Sequence, residues 1–271
     1  MAADHLLPQA ATTVTPPAPI SSSGAGGARR VSTLRVALAD RRATTVHLAS
    51  YDLARTAVKI VRLPRPAPLE AWCAEQGIGD ALVGGFFVRP GGTPLGELRT
   101  GGIVRAGRPF DAPWGAVRAC VHAAGGGGVS IARRPDLPAA PRGDLLQAGP
   151  LLVRHGRTVT GDEEGFSAGR SQFDSDVTDG RYPRAALGVA RDGRLLAVAC
   201  DGRADDEAGL TMAELSETMV ALGAVSALNL DGGGSTSLVC DGRLRNVPRE
   251  QHGIALAGGR AISTALVFVA R

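Results

Sequence analysis

Long apolar runs and a secretion signal are both missing from this 271-residue sequence. No segment approaches the roughly 18 consecutive apolar residues that a membrane-spanning helix needs. The amino terminus also lacks a basic segment followed by an apolar stretch and a small-residue cleavage site. A hydrophobic fraction of 44% is ordinary for a soluble globular protein. We therefore expect a cytoplasmic protein with no membrane partner.

Metal-binding patterns are missing as well. The four cysteines form no C-x-x-C pair, and the five histidines form no H-E-x-x-H motif. We expect no structural metal and no other cofactor, and we expect the cysteines to be free in the core: Cys73, Cys120, Cys200 and Cys240. The acidic cluster of Asp174, Asp176 and Asp179 could bind a cation, but a solvated loop is the simpler interpretation.

Lysine and aromatic residues are scarce. Lys59 is the only lysine, and aromatic residues make up 4% of the chain. The basic residues are spread thinly and few rings could stack on bases, so the net charge of +4 does not predict a nucleic-acid partner. The arginine excess is typical of a GC-rich genome, and we take the chain to be bacterial. Because the planar arginine fork matches phosphate oxygens, one or two arginines could bind an anionic substrate.

Composition divides the chain into a tail and one domain. Residues 1–30 are rich in Ala, Thr, Pro, Ser and Gly and hold few large apolar side chains, which predicts a disordered low-complexity tail. No linker or repeat interrupts residues 31–271. Strand-like segments dominate there and helices are few. We therefore expect a single α+β domain with a curved mixed β-sheet core and few packed helices.

Local patterns predict individual elements. Pro68 and Gly77 bracket a short helix, and Thr211 with Glu214 forms a capping box for a second helix that Gly223 ends. Residues 116–123 and 129–133 indicate one hairpin, and residues 186–190 and 195–200 indicate another with an Asp-Gly turn. Further strands are predicted at 227–230, 237–240 and 262–269.

A glycine loop is the most informative segment: Asn229-Leu230-Asp231-Gly232-Gly233-Gly234-Ser235-Thr236. Three consecutive glycines remove every side chain from a stretch of backbone. Bare N–H groups beside Ser and Thr hydroxyls suit phosphate or sugar oxygens, and Asp231 at a strand end could ionise or donate a proton. A flexible turn is the alternative. The loop is not a dinucleotide fingerprint, because no helix follows it.

The surrounding residues resemble a known family. Residues 209–239, which include the glycine loop, resemble the signature of the phosphodiester glycosidase family. Further segments match in the same order: Gly84-Gly85-Phe86-Phe87, Gly149-Pro150-Leu151-Leu152, Arg181-Tyr182-Pro183-Arg184, Asp201-Gly202-Arg203, Asn246-Val247-Pro248 and Arg260-Ala261-Ile262-Ser263. Together they span residues 81–271.

The resemblance implies a reaction. Members of the family remove a sugar, such as N-acetylglucosamine, from a phosphodiester at its anomeric carbon, so a hydrolase that releases sugar and a phosphate monoester is expected. Such cleavage needs a carboxylate near an oxocarbenium-like transition state and an acid or cation for the departing phosphate. We assign Asp231 and Asp201 as the carboxylates and Arg184 and Arg203 as phosphate clamps. The expected substrate-binding residues also include Asn229, Gly232, Gly233, Gly234, Ser235, Thr236, Gly84, Gly85 and Phe86.

Several alternatives stay open. Asp201-Gly202 is also an ordinary turn pattern, and Glu214 is both a candidate catalytic carboxylate and the capping partner of Thr211. The family usually has Asn at the position of Val83 and Thr at that of Ala185. These departures favour a non-catalytic protein that binds sugar phosphates or polysaccharides. A glycosidase or lyase acting on a glycan without phosphate is a third hypothesis, and the oligomeric state is left open.

Overall fold

The structure is a computed structural model that describes residues 29–159 and 180–271. Residues 1–28 of the predicted tail and the cluster of Asp174, Asp176 and Asp179 lie outside the described residues. The first strand begins at Arg29, two residues before the domain boundary expected from composition.

The largest sheet has seven strands in the order β1-β2-β15-β14-β16-β12-β13. Its strands are β1 (Arg29–Ala37), β2 (Ala43–Asp52), β12 (Leu151–Arg154), β13 (Arg157–Thr158), β14 (Arg184–Ala190), β15 (Arg194–Cys200) and β16 (Ala224–Asn229). The predicted hairpin of β14 and β15 is confirmed, with Gly193 of its Asp-Gly turn at a φ of 79°. Nearly every residue of these two central strands is buried, because both faces of the sheet are covered.

Two five-stranded sheets complete the framework. The second sheet has the order β10-β9-β11-β7-β8, and the third has the order β18-β17-β4-β19-β3. The second contains β7 (Leu98–Thr100), β8 (Ile103–Val104), β9 (Ala119–Ala123), β10 (Val129–Arg133) and β11 (Asp144–Gln147). The third contains β3 (Thr56–Ala67), β4 (Ala81–Val83), β17 (Leu238–Cys240), β18 (Arg243–Leu244) and β19 (Ile262–Ala270). A separate small hairpin consists of β5 (Phe87–Val88) and β6 (Thr93–Pro94).

The described part of the chain contains three α-helices: α1 (Leu69–Gln76), α2 (Trp114–Val117) and α3 (Met212–Ala221). Helix α1 ends at Gly77 in the left-handed conformation, as the sequence predicts. Helix α3 begins with the predicted capping box of Thr211 and Glu214 and buries Met212, Leu215 and Met219. No helix within residues 29–159 and 180–271 is long and apolar enough to cross a membrane.

One hydrophobic cluster includes residues from all three large sheets, and this confirms the single α+β domain. The paired strands are antiparallel where a mixed sheet was expected, and the described parallel pairing is an isolated bridge between Leu95 and Arg108. Strands adjacent in sequence form hairpins, which impose antiparallel pairing. The four cysteines are free and buried, as predicted.

Candidate functional site

A pocket of about 850 Å³ lies where loops from the three large sheets meet. Five arginines and two carboxylates line it, together with one histidine: Arg89, Arg118, Arg184, Arg203, Arg260, Asp231, Glu250 and His252. Phe86, Phe87 and Tyr182 supply aromatic surface to the same pocket. The excess of guanidinium groups over carboxylates makes the lining suited to an anionic ligand.

Asp231 enters the pocket from the end of β16. Its backbone N–H donates to the carbonyl of Gly84 at 3.1 Å, and its Oδ1 accepts from the N–H of Gly232 at 2.9 Å. Burial raises the pKa of Asp231 to about 6, and a hydrogen bond with Ser235 and the charge of Arg260 offset part of the rise. A carboxyl group with this pKa exchanges protons near neutral pH, as a general acid or base must.

Glu250 lies in the same pocket in a different environment. It accepts from Arg260 Nε at 2.7 Å and also from Arg260 Nη2. Burial acts to raise the pKa of Glu250, but the hydrogen bond to Arg260 and the charges of Arg260, Arg89 and Arg203 outweigh it and lower the pKa. Glu250 is therefore ionised when Asp231 is still partly protonated. Two carboxyl groups with pKa values moved in opposite directions are typical of an acid and its charged partner.

Ser235 and Arg260 connect the two carboxyl groups. Arg260 Nη1 donates to Ser235 Oγ at 3.2 Å, and Ser235 also hydrogen-bonds with Asp231. Ser235 and Thr236 are fully buried and do not belong to the pocket lining. The structure thus places these two predicted substrate-binding residues beneath the lining.

The glycine loop is packed closely on pocket side chains. Gly232 and Gly233 line the pocket, whereas Gly234 does not. A Cβ at Gly234 would lie 2.8 Å from Glu250 Oε1, and a Cβ at Gly233, whose φ is 61°, would lie 3.2 Å from Arg203 Nη1. We expected the glycines to admit a substrate to the backbone. In the structure, the absence of Cβ atoms at Gly234 and Gly233 also leaves space for the side chains of Glu250 and Arg203.

Gly84 and Gly85 are buried and lie outside the pocket lining, whereas Phe86 lines it as expected. A Cβ at Gly84 would lie 2.4 Å from Thr264 Oγ1. Because the carbonyl of Gly84 accepts a hydrogen bond from the N–H of Asp231, this tight packing fixes the position of Asp231.

The two predicted phosphate clamps, Arg184 and Arg203, both line the pocket but differ in their partners. Arg184 is 4% exposed, and its Nε and Nη2 donate to the carbonyls of Leu210 and Gly180 at 2.9 and 2.8 Å. Both guanidinium groups lie over the ring of Tyr182, at 5.2 Å for Arg184 and 4.8 Å for Arg203. Arg203 also donates from Nη1 to the carbonyl of Arg249. The side chain of Arg184 therefore stabilises two backbone segments, whereas Arg203 has more N–H groups available to bind a ligand.

Asp201, a predicted catalytic carboxylate, is placed outside the pocket lining. Its Oδ2 pairs with His47 Nε2 at 2.8 Å, and its Oδ1 accepts from the N–H of Val247 at 2.6 Å. Both oxygens are engaged, and the side chain ties the end of β15 to the segment that carries Glu250. A strand-end position predicted a catalytic role, but the sequence did not reveal these long-range partners.

Glu214, the other predicted carboxylate, is also placed outside the lining. It accepts from the N–H of Thr211 at 2.9 Å and from Arg181 Nε at 3.0 Å. Burial acts to raise the pKa of Glu214, and the bonds from Arg181 and Thr211 outweigh it and lower the pKa. The geometry favours the capping interpretation over the catalytic one.

The two departures from the family pattern lie in the core. Val83 on β4 and Ala185 on β14 are fully buried, and neither lines the pocket. The missing Asn and Thr side chains therefore change packing beneath the site rather than the lining itself.

The sequence interpretation missed several pocket residues: Arg89, Arg118, Glu250 and His252. Arg260 stood in a matched segment, but no role was given to it. Nothing local distinguishes a single Glu or Arg in a loop, because only the fold brings these residues to one pocket.

Comparison with known proteins identifies the family. A model described as phosphodiester glycosidase matches residues 79–269. The mouse N-acetylglucosamine-1-phosphodiester alpha-N-acetylglucosaminidase is 28% identical over 192 residues, which cover 69% of this chain and 36% of that protein. The bovine protein of the same name is 27% identical over 194 residues, with the same coverage of 69% and 36%. This chain thus matches about a third of the length of these curated relatives.

Solved structures show the same fold. The catalytic domain of the zebrafish N-acetylglucosamine-1-phosphodiester alpha-N-acetylglucosaminidase, auto-inhibited by pro-peptide, aligns with a TM-score of 0.70 and 21% identity, covering 90% of this chain and 83% of that one. A hypothetical protein from Synechocystis aligns with a TM-score of 0.61 and 20% identity, covering 90% of this chain and 62% of that one. From the extent of the family match, this chain belongs to the phosphodiester glycosidase family.

Proposed function

We propose that this protein is a hydrolase that cleaves a sugar-1-phosphodiester at the anomeric carbon and releases sugar and a phosphate monoester. One observation carries the proposal. Asp231 and Glu250, with pKa values moved in opposite directions, line a single pocket that is rich in arginine. Membership of the family supports the reaction class, and the names of the mouse and bovine relatives point to N-acetylglucosamine as the sugar to test first.

Asp231 is proposed as the proton donor to the departing phosphate oxygen. Its pKa of about 6 leaves it partly protonated near neutral pH. A phosphate monoester leaves readily, so partial proton transfer is enough. The Gly232 N–H and the Ser235 hydrogen bond hold the carboxyl group in one orientation.

Glu250 is proposed as the ionised carboxylate that faces the positive charge developing at the anomeric carbon. Glycosidic cleavage uses two carboxyl groups with different protonation states, and Glu250 takes the place that the sequence interpretation gave to Asp201. The ion pair with Arg260 keeps Glu250 charged and fixes its position.

Arg203 is proposed to hold the phosphate, because it lines the pocket and is oriented by Tyr182. Asn229 is proposed to bind the sugar. Asn229 lines the pocket, and its buried Oδ1 accepts no hydrogen bond from any described residue. A hydroxyl or amide N–H of the sugar would satisfy this acceptor.

The pocket also bears on the alternatives. A non-catalytic binding protein was favoured by Val83 and Ala185, and both now lie in the core. A glycan without phosphate would leave the arginine-rich lining without a counter-charge. We therefore favour a phosphate-bearing substrate that is turned over.

Incubation with a panel of sugar-1-phosphodiesters, beginning with N-acetylglucosamine, tests the proposal, with free sugar and phosphate monoester detected by mass. We expect wild-type turnover of at least one compound and loss of about 10²–10³ in rate for Asp231→Asn. Asp192→Asn, in the exposed hairpin turn, is the matched control and should behave as wild type. Binding without turnover by the wild type, or full activity of Asp231→Asn, would contradict the proposal.

A further inference from the structure

Arg118 is a buried arginine whose charge has no counterpart among the described residues. It is 1% exposed and is among the largest fully buried side chains. Its Nε and Nη2 make no hydrogen bond within residues 29–159 and 180–271, and no carboxylate there forms an ion pair with it. Its one described side-chain interaction places the guanidinium 5.5 Å from the centre of the Phe110 ring.

A buried guanidinium without an anion destabilises the folded state, because no charged partner offsets the loss of its hydration. Burial lowers the pKa of Arg118 to about 10, and no neighbouring carboxylate opposes the effect. The two nitrogens are shielded from solvent, so bulk water does not replace the missing partner. Something other than folding stability must account for arginine at this position.

Arg118 lines the same pocket as Asp231 and Glu250 but is carried by different elements of the fold. It stands between α2 and β9, where its N–H donates to the carbonyl of Trp114 at 3.0 Å and its own carbonyl accepts from Arg134 at 3.3 Å. The backbone is therefore fixed at the start of β9, an interior strand of the second sheet. The two carboxyl groups come from loops after β16 and before β19.

Arg118 also differs from the other four arginines of the pocket. Arg89 is exposed, so water can solvate its guanidinium group, and the other three have partners in the protein. Arg184 donates to two backbone carbonyls, Arg260 pairs with Glu250, and Arg203 donates to Arg249. In Arg118, Nε and Nη2 are neighbouring donors on one edge of the planar fork, and that edge is the one without a partner. Such an edge matches two oxygens of one phosphate group.

We infer that Arg118 binds the phosphate group of the ligand in a bidentate manner, in addition to the contact proposed for Arg203. The inference rests on the proposed function and names a residue for its phosphate subsite. Because the unpaired edge is shielded from solvent, this contact requires a rotation about the last torsions of the side chain that turns the edge towards the oxyanion. The ligand then supplies the counter-charge that the protein does not.

Titration of inorganic phosphate into the full-length protein tests the inference by calorimetry. Arg118→Met keeps the length of the side chain without its charge, and Arg118→Lys keeps the charge without the fork. Arg154→Met, at an exposed arginine on β12 outside the pocket, removes the same charge as a matched control. We expect phosphate affinity to fall about ten- to hundredfold in Arg118→Met, less in Arg118→Lys, and not at all in Arg154→Met.

Thermal melting without phosphate separates binding from a structural role. Removal of an uncompensated buried charge should leave the Tm of Arg118→Met equal to or above that of the wild type. Wild-type phosphate affinity in either folded Arg118 variant, or no phosphate binding by the wild type, would overturn the inference. If Arg118→Met does not fold, the affinity of Arg118→Lys decides. Phosphate binding through Arg118 without any sugar-1-phosphodiester turnover would uphold the inference and reject the proposed function.

Discussion

The carboxyl group of Asp231 links the chemistry of the pocket to the stability of the fold. Burial raises its pKa from 3.8 to about 6, so the folded state binds a proton more tightly than the unfolded state does. The protonated form therefore contributes stability that is full below pH 3.8 and is lost as the pH rises through about 6. The difference between the two pKa values corresponds to a free energy of about 3 kcal/mol at most, at about 1.4 kcal/mol per pKa unit.

We predict that Asp231→Asn is more stable than the wild type at about pH 7.5 and gains much less at about pH 4.5, because Asn cannot ionise. Urea unfolding at both pH values measures the two differences. Asp192→Asn, in the exposed turn, should show no such dependence. An equal gain at both pH values, or a loss at the higher one, would show that the burial of Asp231 does not destabilise its charged form.

The pH dependence of cleavage follows from the same pair of residues. With Asp231 as the acid and Glu250 as the ionised partner, kcat/KM should be highest on the acidic side of neutrality and should fall above about pH 6. At low pH, kcat/KM should fall again as Glu250 becomes protonated. In Glu250→Gln this fall at low pH should disappear, and the rate should be about 10²–10³ lower. A rate that rises between about pH 6 and pH 8 would contradict these assignments.

The loop after β16 combines two functions, since it carries Asp231 and leaves space for Glu250. Gly234→Ala introduces a methyl group 2.8 Å from Glu250 Oε1 and 2.9 Å from Leu256 Cδ1. We predict that this single methyl group displaces Glu250 and lowers kcat about tenfold or more, since misplacement of a catalytic group by about 1 Å is costly. Steady-state kinetics measure the effect.

Gly128→Ala is the matched control for that experiment, because a Cβ there meets nothing within 4 Å and its backbone lies outside the left-handed region. Its kcat should equal that of the wild type. Wild-type kcat in Gly234→Ala would show that Glu250 needs no space at this position or has no part in turnover.

Elements with local signals could be predicted from the sequence. Helices α1 and α3 have terminal glycines and a capping box, and the β14–β15 hairpin has its Asp-Gly turn. Strands β1 to β3 were not anticipated individually. Strand β1 alternates exposed and partly buried positions, and its pairing with β2 stabilises it more than its own sequence does.

The site was only partly predictable for a related reason. Asp231 could be identified from the sequence because the glycine loop that contains it is a recognisable pattern of eight consecutive residues. Glu250 and Arg118 are more than one hundred residues apart, and only the assembled sheets place them around one pocket. Asp201 matched a local pattern equally well, but its His47 partner comes from β2 and occupies one of its oxygens.

The molecule as a whole is three sheets around one core, and the pocket depends on all three. The composition of residues 1–28 predicts no contribution to that core. We expect a chain that begins at Arg29 to melt within about one degree of the full chain, because it retains the 2.7 Å pair of Arg29 with Asp80.

A chain that begins at Thr33 is the control, because it removes Arg29 and the next three of the nine residues of β1. Its Tm should fall measurably. A large loss of stability on removal of residues 1–28 alone would show that this segment packs on the domain.

The central claim concerns which bond is broken. Turnover of a sugar-1-phosphodiester in oxygen-18 water distinguishes the possibilities, since the oxygen of the attacking water stays with the atom that it attacks. Our account predicts the label in the released sugar, because water attacks the anomeric carbon and the C1–O bond breaks. The label in the phosphate monoester would show that the P–O bond breaks and would contradict the account.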